Sequence, residues 1–87
     1  MAEKILVIDD ELETLRLLKM ALEREGFQVI TANRGAAGFN NAQNENIDLI
    51  IIDLMLPDIG GLEVIRMIRK DSLISHIPIL IFSARDQ

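Results

Sequence analysis

Asp48-Leu49-Ile50-Ile51-Ile52-Asp53-Leu54-Met55-Leu56-Pro57 decides the fold of this 87-residue chain. An apolar, β-branched run meets one acid, then a short apolar loop stopped by a proline. A run this short and this branched reads as a strand buried on both faces, as in a parallel sheet. An ionised acid inside such a core is costly unless it is paired or bound to a metal. At the carboxyl end of a strand in an open parallel sheet, it lies where such sheets bind ligands. Asp53 stands at that end. Taken alone, it is equally well read as a surface acid reaching solvent.

Upstream, Lys4-Ile5-Leu6-Val7-Ile8 is a second continuous apolar run, and it too ends in acids, Asp9-Asp10-Glu11. A helix follows, with Leu12, Leu15, Leu18 and Leu22 on one face. Asp10 with Glu13 three residues on suggests a capping box, and Gly26 a helix stop. Phe27-Gln28-Val29-Ile30-Thr31 reads as a shorter, more polar strand near an edge. Residues 33–43 form the weakest helix, capped by Asn33 and holding Ala36, Ala37, Phe39 and Ala42. Its Gly35 and Gly38 lower helix propensity.

Downstream of Pro57, Asp58-Ile59-Gly60-Gly61 is a turn. The helix over 62–70 puts Leu62, Ile65 and Ile68 on one face, with Arg66, Arg69 and Lys70 toward its C-terminus. Residues 71–77 read as a loop, with the one histidine, His76, at the surface. Pro78-Ile79-Leu80-Ile81-Phe82 is the fourth strand, where proline is tolerated as the first residue. The order β-α-β-α-β-α-β implies a parallel sheet with helices on its faces and right-handed crossovers.

Composition narrows the function. A hydrophobic content of 49% with 26% charged residues fits one globular domain spanning residues 1–87. A net charge of -5, with no basic run, argues against nucleic-acid or anionic-membrane binding. The lack of cysteine removes disulfide and zinc-thiolate chemistry and fits a cytoplasmic location. The first strand starts almost at Met1, so no signal peptide is expected, and every apolar run is too short to span a bilayer.

Three strands thus end in Asp9-Asp10, in Asp53 and in Ser83. If they are neighbours, three carboxylates crowd one crevice and repel one another unless a cation sits among them. Hard oxygen ligands without His or Cys favour Mg²⁺. The Ser83 hydroxyl and the Ala84 N–H could donate to phosphate oxygens.

These residues resemble the receiver domain of bacterial response regulators, the CheY-like phospho-acceptor module of two-component signalling. Asp9-Asp10 looks like the family's Mg²⁺-binding pair, Asp53 like its phospho-acceptor, and Ser83-Ala84 like the pair that senses the phosphoryl group. The loop Asp53-Leu54-Met55-Leu56-Pro57, followed by Gly61, is similar too, although Gly60 stands where the family usually has Asp or Asn. The resemblance implies a flavodoxin-like, doubly wound sheet of order 2-1-3-4. It implies Mg²⁺ held by Asp10, Asp53 and the Met55 carbonyl, with Asp9 acting through water. It implies phosphoryl transfer from a histidine kinase or phosphotransfer protein, with an output domain outside this chain. Such a domain is regulatory, an enzyme at most in its own phosphorylation.

Against the family pattern, the chain stops after its fourth strand, without the last helices, the fifth strand or its lysine. Lys4 lies at the wrong end of its strand to substitute. A second reading is therefore a truncated receiver that does not signal and associates with itself, as a homodimer or larger, through its bare fourth strand. A haloacid-dehalogenase-like phosphatase needs Asp-x-Asp after the first strand, which Asp9-Asp10-Glu11 lacks. A dinucleotide-binding domain needs G-x-G-x-x-G there, which is missing as well.

Overall fold

Leu6, Ile8, Ile50 and Ile52 are fully buried, with Val7 at 1% and Ile51 at 7% exposure, so both faces of the two central strands lie in core. The structure is a computed structural model that describes residues 2–82. Its elements alternate as β1 (Lys4–Ile8), α1 (Leu12–Arg24), β2 (Gln28–Ala32), α2 (Gly35–Asn44), β3 (Leu49–Ile52), α3 (Gly61–Lys70) and β4 (Ile79–Ile81). The four strands form one parallel sheet of order β2-β1-β3-β4, the order that the family resemblance implies. Ile8 pairs with Ala32 on one side and with Ile52 on the other, so the ends of β1 and β3 are level.

Two cores lie on the two faces. Ile5, Val7, Val29 and Ile51 meet Leu15, with Leu18 and Leu22 packed against them. On the other face Leu6, Ile8, Ile50 and Ile52 meet Ala42, Val64 and Ile68. Leu12, the first residue of α1, is 64% exposed, whereas Leu15 is buried. Leu62 is 54% exposed as well: α3 buries Gly61, Val64 and Ile68, and Leu62 falls on the opposite side of that stripe.

Helix α2 turns its glycines toward the sheet. Gly35, Gly38 and Ala42 face inward, while Ala36 and Ala37 are exposed. A Cβ at Gly38 would collide with the Ile8 side chain. The low propensity of these residues is thus offset by a close approach of helix to sheet. Gly26 ends the α1 segment at φ +98°, a backbone that favours glycine.

The segment after α3 is a loop of turns, as expected, but it carries core residues. Ile74 and Ile77 are buried in the core, and the Arg69 guanidinium donates to the carbonyls of Ser75 and Ile77 at 2.6 and 2.8 Å. His76 is exposed there, as expected.

Candidate metal and phospho-acceptor site

The register of the sheet brings the acids together. The Asp53 N–H donates to the Ile8 carbonyl at 2.9 Å, and the Asp9 N–H donates to the Ala32 carbonyl at 3.0 Å. Each acid therefore stays tied to the neighbouring strand one residue beyond its own. Asp9 and Asp53 are buried, at 4% and 3% exposure, and Asp10 is half-buried beside them. One carboxylate oxygen from each lies within 4.8 Å of the others.

Local backbone hydrogen bonds orient two of these carboxylates. Asp9 Oδ1 accepts the Glu11 N–H at 2.9 Å, and Asp53 Oδ1 accepts the Met55 N–H at 3.1 Å. The expected capping box at Asp10 does not form, since α1 starts at Leu12 and Glu11 is its N-cap residue. Asp10 thus lies one residue before the cap and turns to the cluster instead. The donor set is all oxygen, hard and anionic, which fits Mg²⁺. Crowding three acids, two of them buried, also favours a cation among them. Ser83 and Ala84, the expected phosphoryl-sensing pair, lie outside the described residues.

The loop from β3 to α3 is clamped in a way that sequence reasoning missed. Asp58 was read as part of a turn. Its carboxylate instead accepts the Gly35 N–H at 2.8 Å and the Ala36 N–H at 3.0 Å, across 23 and 22 residues. Arg34, not Asn33, is the N-cap residue of α2, and its side chain makes no capping bond. Asp58 supplies the cap from another element. The amides of Ala36, first, and Gly35 hold its carboxyl at about 2, below the usual 3.8. A group of lowered folded pKa contributes stability that is whole above about pH 3.8 and is lost as the pH falls through 2. No signal within the local sequence could have shown this long-range partner.

Lys4 sits at the other end of β1, with its Nζ 3.8 Å from Glu45. A cavity of about 410 Å³ also lies at that opposite end, lined by Ala42, Ile47, Asp48, Ile74 and His76. Asp48 precedes β3 and Asp53 follows it, so this cavity is remote from the acid cluster.

Comparison with known proteins decides the family. The model of the response regulator receiver domain matches residues 5–87. The chain belongs to the response regulator receiver domains. It is 44% identical over 87 residues to the alkaline phosphatase synthesis transcriptional regulatory protein PhoP of Bacillus subtilis, covering 100% of this chain and 35% of that one. It spans about a third of the length of the curated relatives it matches. Among solved structures, Vibrio cholerae chemotaxis protein CheY4 superposes with a TM-score of 0.92 at 28% identity, covering 100% of this chain and 72% of that one. Thermotoga maritima response regulator TrrA, solved in complex with Mg²⁺-BeF, gives 0.88 at 37% identity, covering 97% and 71%. This receiver domain is a regulatory module of two-component systems. Its Asp9, Asp10 and Asp53 form an acidic group that could hold a metal ion. Among the described residues, no helix is long and apolar enough to cross a membrane.

Proposed function

We propose that this receiver domain accepts a phosphoryl group on Asp53, with Mg²⁺ held by Asp10, Asp53 and the Met55 carbonyl, and Asp9 acting through water. The observation that carries this reading is the meeting of three carboxylates within 4.8 Å at the ends of β1 and β3. The Mg²⁺-BeF complex of the 37% identical Thermotoga protein supports it.

In the reaction, a carboxylate oxygen of Asp53 attacks the phosphorus of a phosphohistidine on a kinase or phosphotransfer partner. The new O–P bond forms as the P–N bond breaks, and the bonding pair stays on the imidazole nitrogen. The Met55 N–H holds Asp53 Oδ1, which fixes the rotation of the carboxylate before transfer. Such transfer rests mostly on positioning and on charge stabilisation. When bound, Mg²⁺ offsets the charge on the transferring group. Asp9 and Asp10 place carboxylates just after β1, so the site suits a cation and its phosphoryl ligand rather than a free anion. Ser83 and Ala84 are the residues proposed to meet the phosphoryl oxygens. The output domain lies outside this chain, as the longer relatives suggest.

Acetyl phosphate with Mg²⁺, followed by mass mapping of the intact 87-residue chain, tests this reading. One phosphoryl group on Asp53 is expected. A label on Glu11 or Asp58 overturns the assignment, and no label in the presence of Mg²⁺ favours the non-signalling reading.

We also infer that the 87-residue chain self-associates. Strand β4 is an edge of the sheet, with Leu80 at 53%, Ile81 at 50% and Phe82 at 39% exposure. An apolar, uncharged edge is a template for pairing with another chain. A two-fold dimer burying about 1,600 Å² would cover it. Light scattering at micromolar concentration is expected to give a dimer or larger species, and a stable monomer contradicts this.

A further inference from the structure

We propose that Asp58 is a positioning residue for the acid cluster: it locks the loop between β3 and α3 onto the N-terminus of α2 and so fixes Met55 beside Asp53. The proposal rests on the reading of Asp53 as a Mg²⁺-assisted phospho-acceptor.

The loop over residues 54–60 is hydrogen-bonded at its root and at Asp58, and its Leu56 and Ile59 pack against the core. At its root, the Gly61 N–H donates to the Leu54 carbonyl at 2.9 Å. A Cβ at Gly61 would stand 2.5 Å from the Asp53 carbonyl oxygen and 2.6 Å from Leu54 Cα, both backbone atoms that cannot yield. Helix α3 therefore starts directly against the acceptor residue. At the far side of the loop, Asp58 takes the two amides of α2. The seat beneath it is equally close: a Cβ at Gly35 would lie 2.8 Å from the Ile59 carbonyl oxygen and 2.9 Å from Val64 Cγ2.

Met55 lies between these two points, and its N–H reaches Asp53 Oδ1. It is 50% exposed, so burial does little to hold it. Its hydrogen bond to Asp53, the packing of the adjacent Leu56 and the Asp58 link to α2 contribute to its place. The far end of the clamp is itself anchored, because α2 presses Gly38 onto Ile8, the residue before Asp9. A circuit of packed groups thus runs from Asp53 through its loop to Asp58, through α2 to Ile8, and back to Asp9. Opening it at Asp58 leaves the loop held by its root and by the packing of Leu56 and Ile59, without the hydrogen-bonded link to α2, and Met55 is then less firmly fixed beside the cluster.

The test uses Asp58→Ala, Asp58→Asn and Gly60→Ala in the full 87-residue chain. Gly60 lies in the same loop at φ -59°, with open space around its Cα, so Gly60→Ala is the matched control. Amide hydrogen exchange without metal and Mg²⁺ titration are the two readouts. In Asp58→Ala the amides of Gly35, Ala36 and Met55 are expected to exchange faster, and Mg²⁺ binding to weaken about tenfold, the lower end of the cost of losing a group that orients metal ligands. Asp58→Asn keeps one acceptor oxygen and falls between. It carries the test alone if Asp58→Ala does not fold. Gly60→Ala matches wild type in both.

Faster exchange at Gly35 and Ala36 with Met55 exchange and Mg²⁺ affinity unchanged would make Asp58 a helix cap alone and overturn the proposal. A wild-type chain that binds no Mg²⁺ overturns the phospho-acceptor reading instead. The clamp is then decided by the metal-free exchange of Met55, whose insensitivity to Asp58→Ala overturns it.

Discussion

Asp53→Ala is expected to take no phosphoryl label from acetyl phosphate, while Asp58→Ala at saturating Mg²⁺ still takes it on Asp53. Both acids lie on the same loop side of the molecule, but their surroundings differ. Asp53 is 3% exposed, directly follows the buried run over residues 50–52 and has a carboxylate oxygen within 4.8 Å of those of Asp9 and Asp10. Asp58 is exposed and has its carboxylate occupied by the two amides of α2. A carboxylate already engaged by two N–H donors, with its pKa held at about 2, is a poor nucleophile. The loss at Asp53 is complete because removing the attacking oxygen removes the bond-forming atom. Stability should move the other way. Deleting one of three crowded carboxylates relieves repulsion. The Met55 N–H that it releases belongs to a half-exposed residue and turns to water. The metal-free Tm of Asp53→Ala is therefore expected at or above that of wild type. Mass mapping and thermal melting check the two halves. Residual label at another acid in Asp53→Ala contradicts the first.

Millimolar Mg²⁺ is expected to raise the Tm of the wild-type chain by roughly 10–20 °C, and to do nothing to Asp10→Ala. A ligand that binds only the folded state stabilises it by about 2.7 kcal/mol at a hundredfold excess over Kd. For a domain of this size each kcal/mol moves Tm by roughly 4–8 °C. The acids meet only in the folded chain, because Asp10 and Asp53 lie 43 residues apart in sequence and are brought together by the pairing of Ile8 with Ile52. The unfolded chain offers no such site. Calorimetry with and without Mg²⁺ reads the shift directly. An equal shift in Asp10→Ala would show that the ion acts elsewhere.

The sheet was legible because its signals are local. Three isoleucines in a row at 50–52 and the run over residues 4–8 admit little besides buried parallel strands, and both end in acids whose placement follows from strand length. What the sequence hid were contacts between distant residues. Ile74 and Ile77 lie in a segment without helical or alternating period, so nothing marked them as core. Gly35 and Gly38 read as weak helix formers and Gly61 as part of a turn, whereas their missing Cβ atoms are what let Gly35 and Gly61 meet neighbouring backbone and Gly38 meet the Ile8 side chain. The cap of α2 was sought at Asn33, in the flanking sequence where caps usually stand, but came from Asp58. Leu12 and Leu62 were assigned to buried faces by spacing alone. Leu12 is 64% and Leu62 54% exposed, and α3 buries Gly61, Val64 and Ile68 instead.

A crystal structure of the chain with Mg²⁺ and beryllofluoride tests the central claim most directly. The account predicts the beryllofluoride group on a carboxylate oxygen of Asp53, with the metal touching Asp10, Asp53 and the Met55 carbonyl. A metal bound away from Asp9, Asp10 and Asp53, or beryllofluoride on any other side chain, would contradict it.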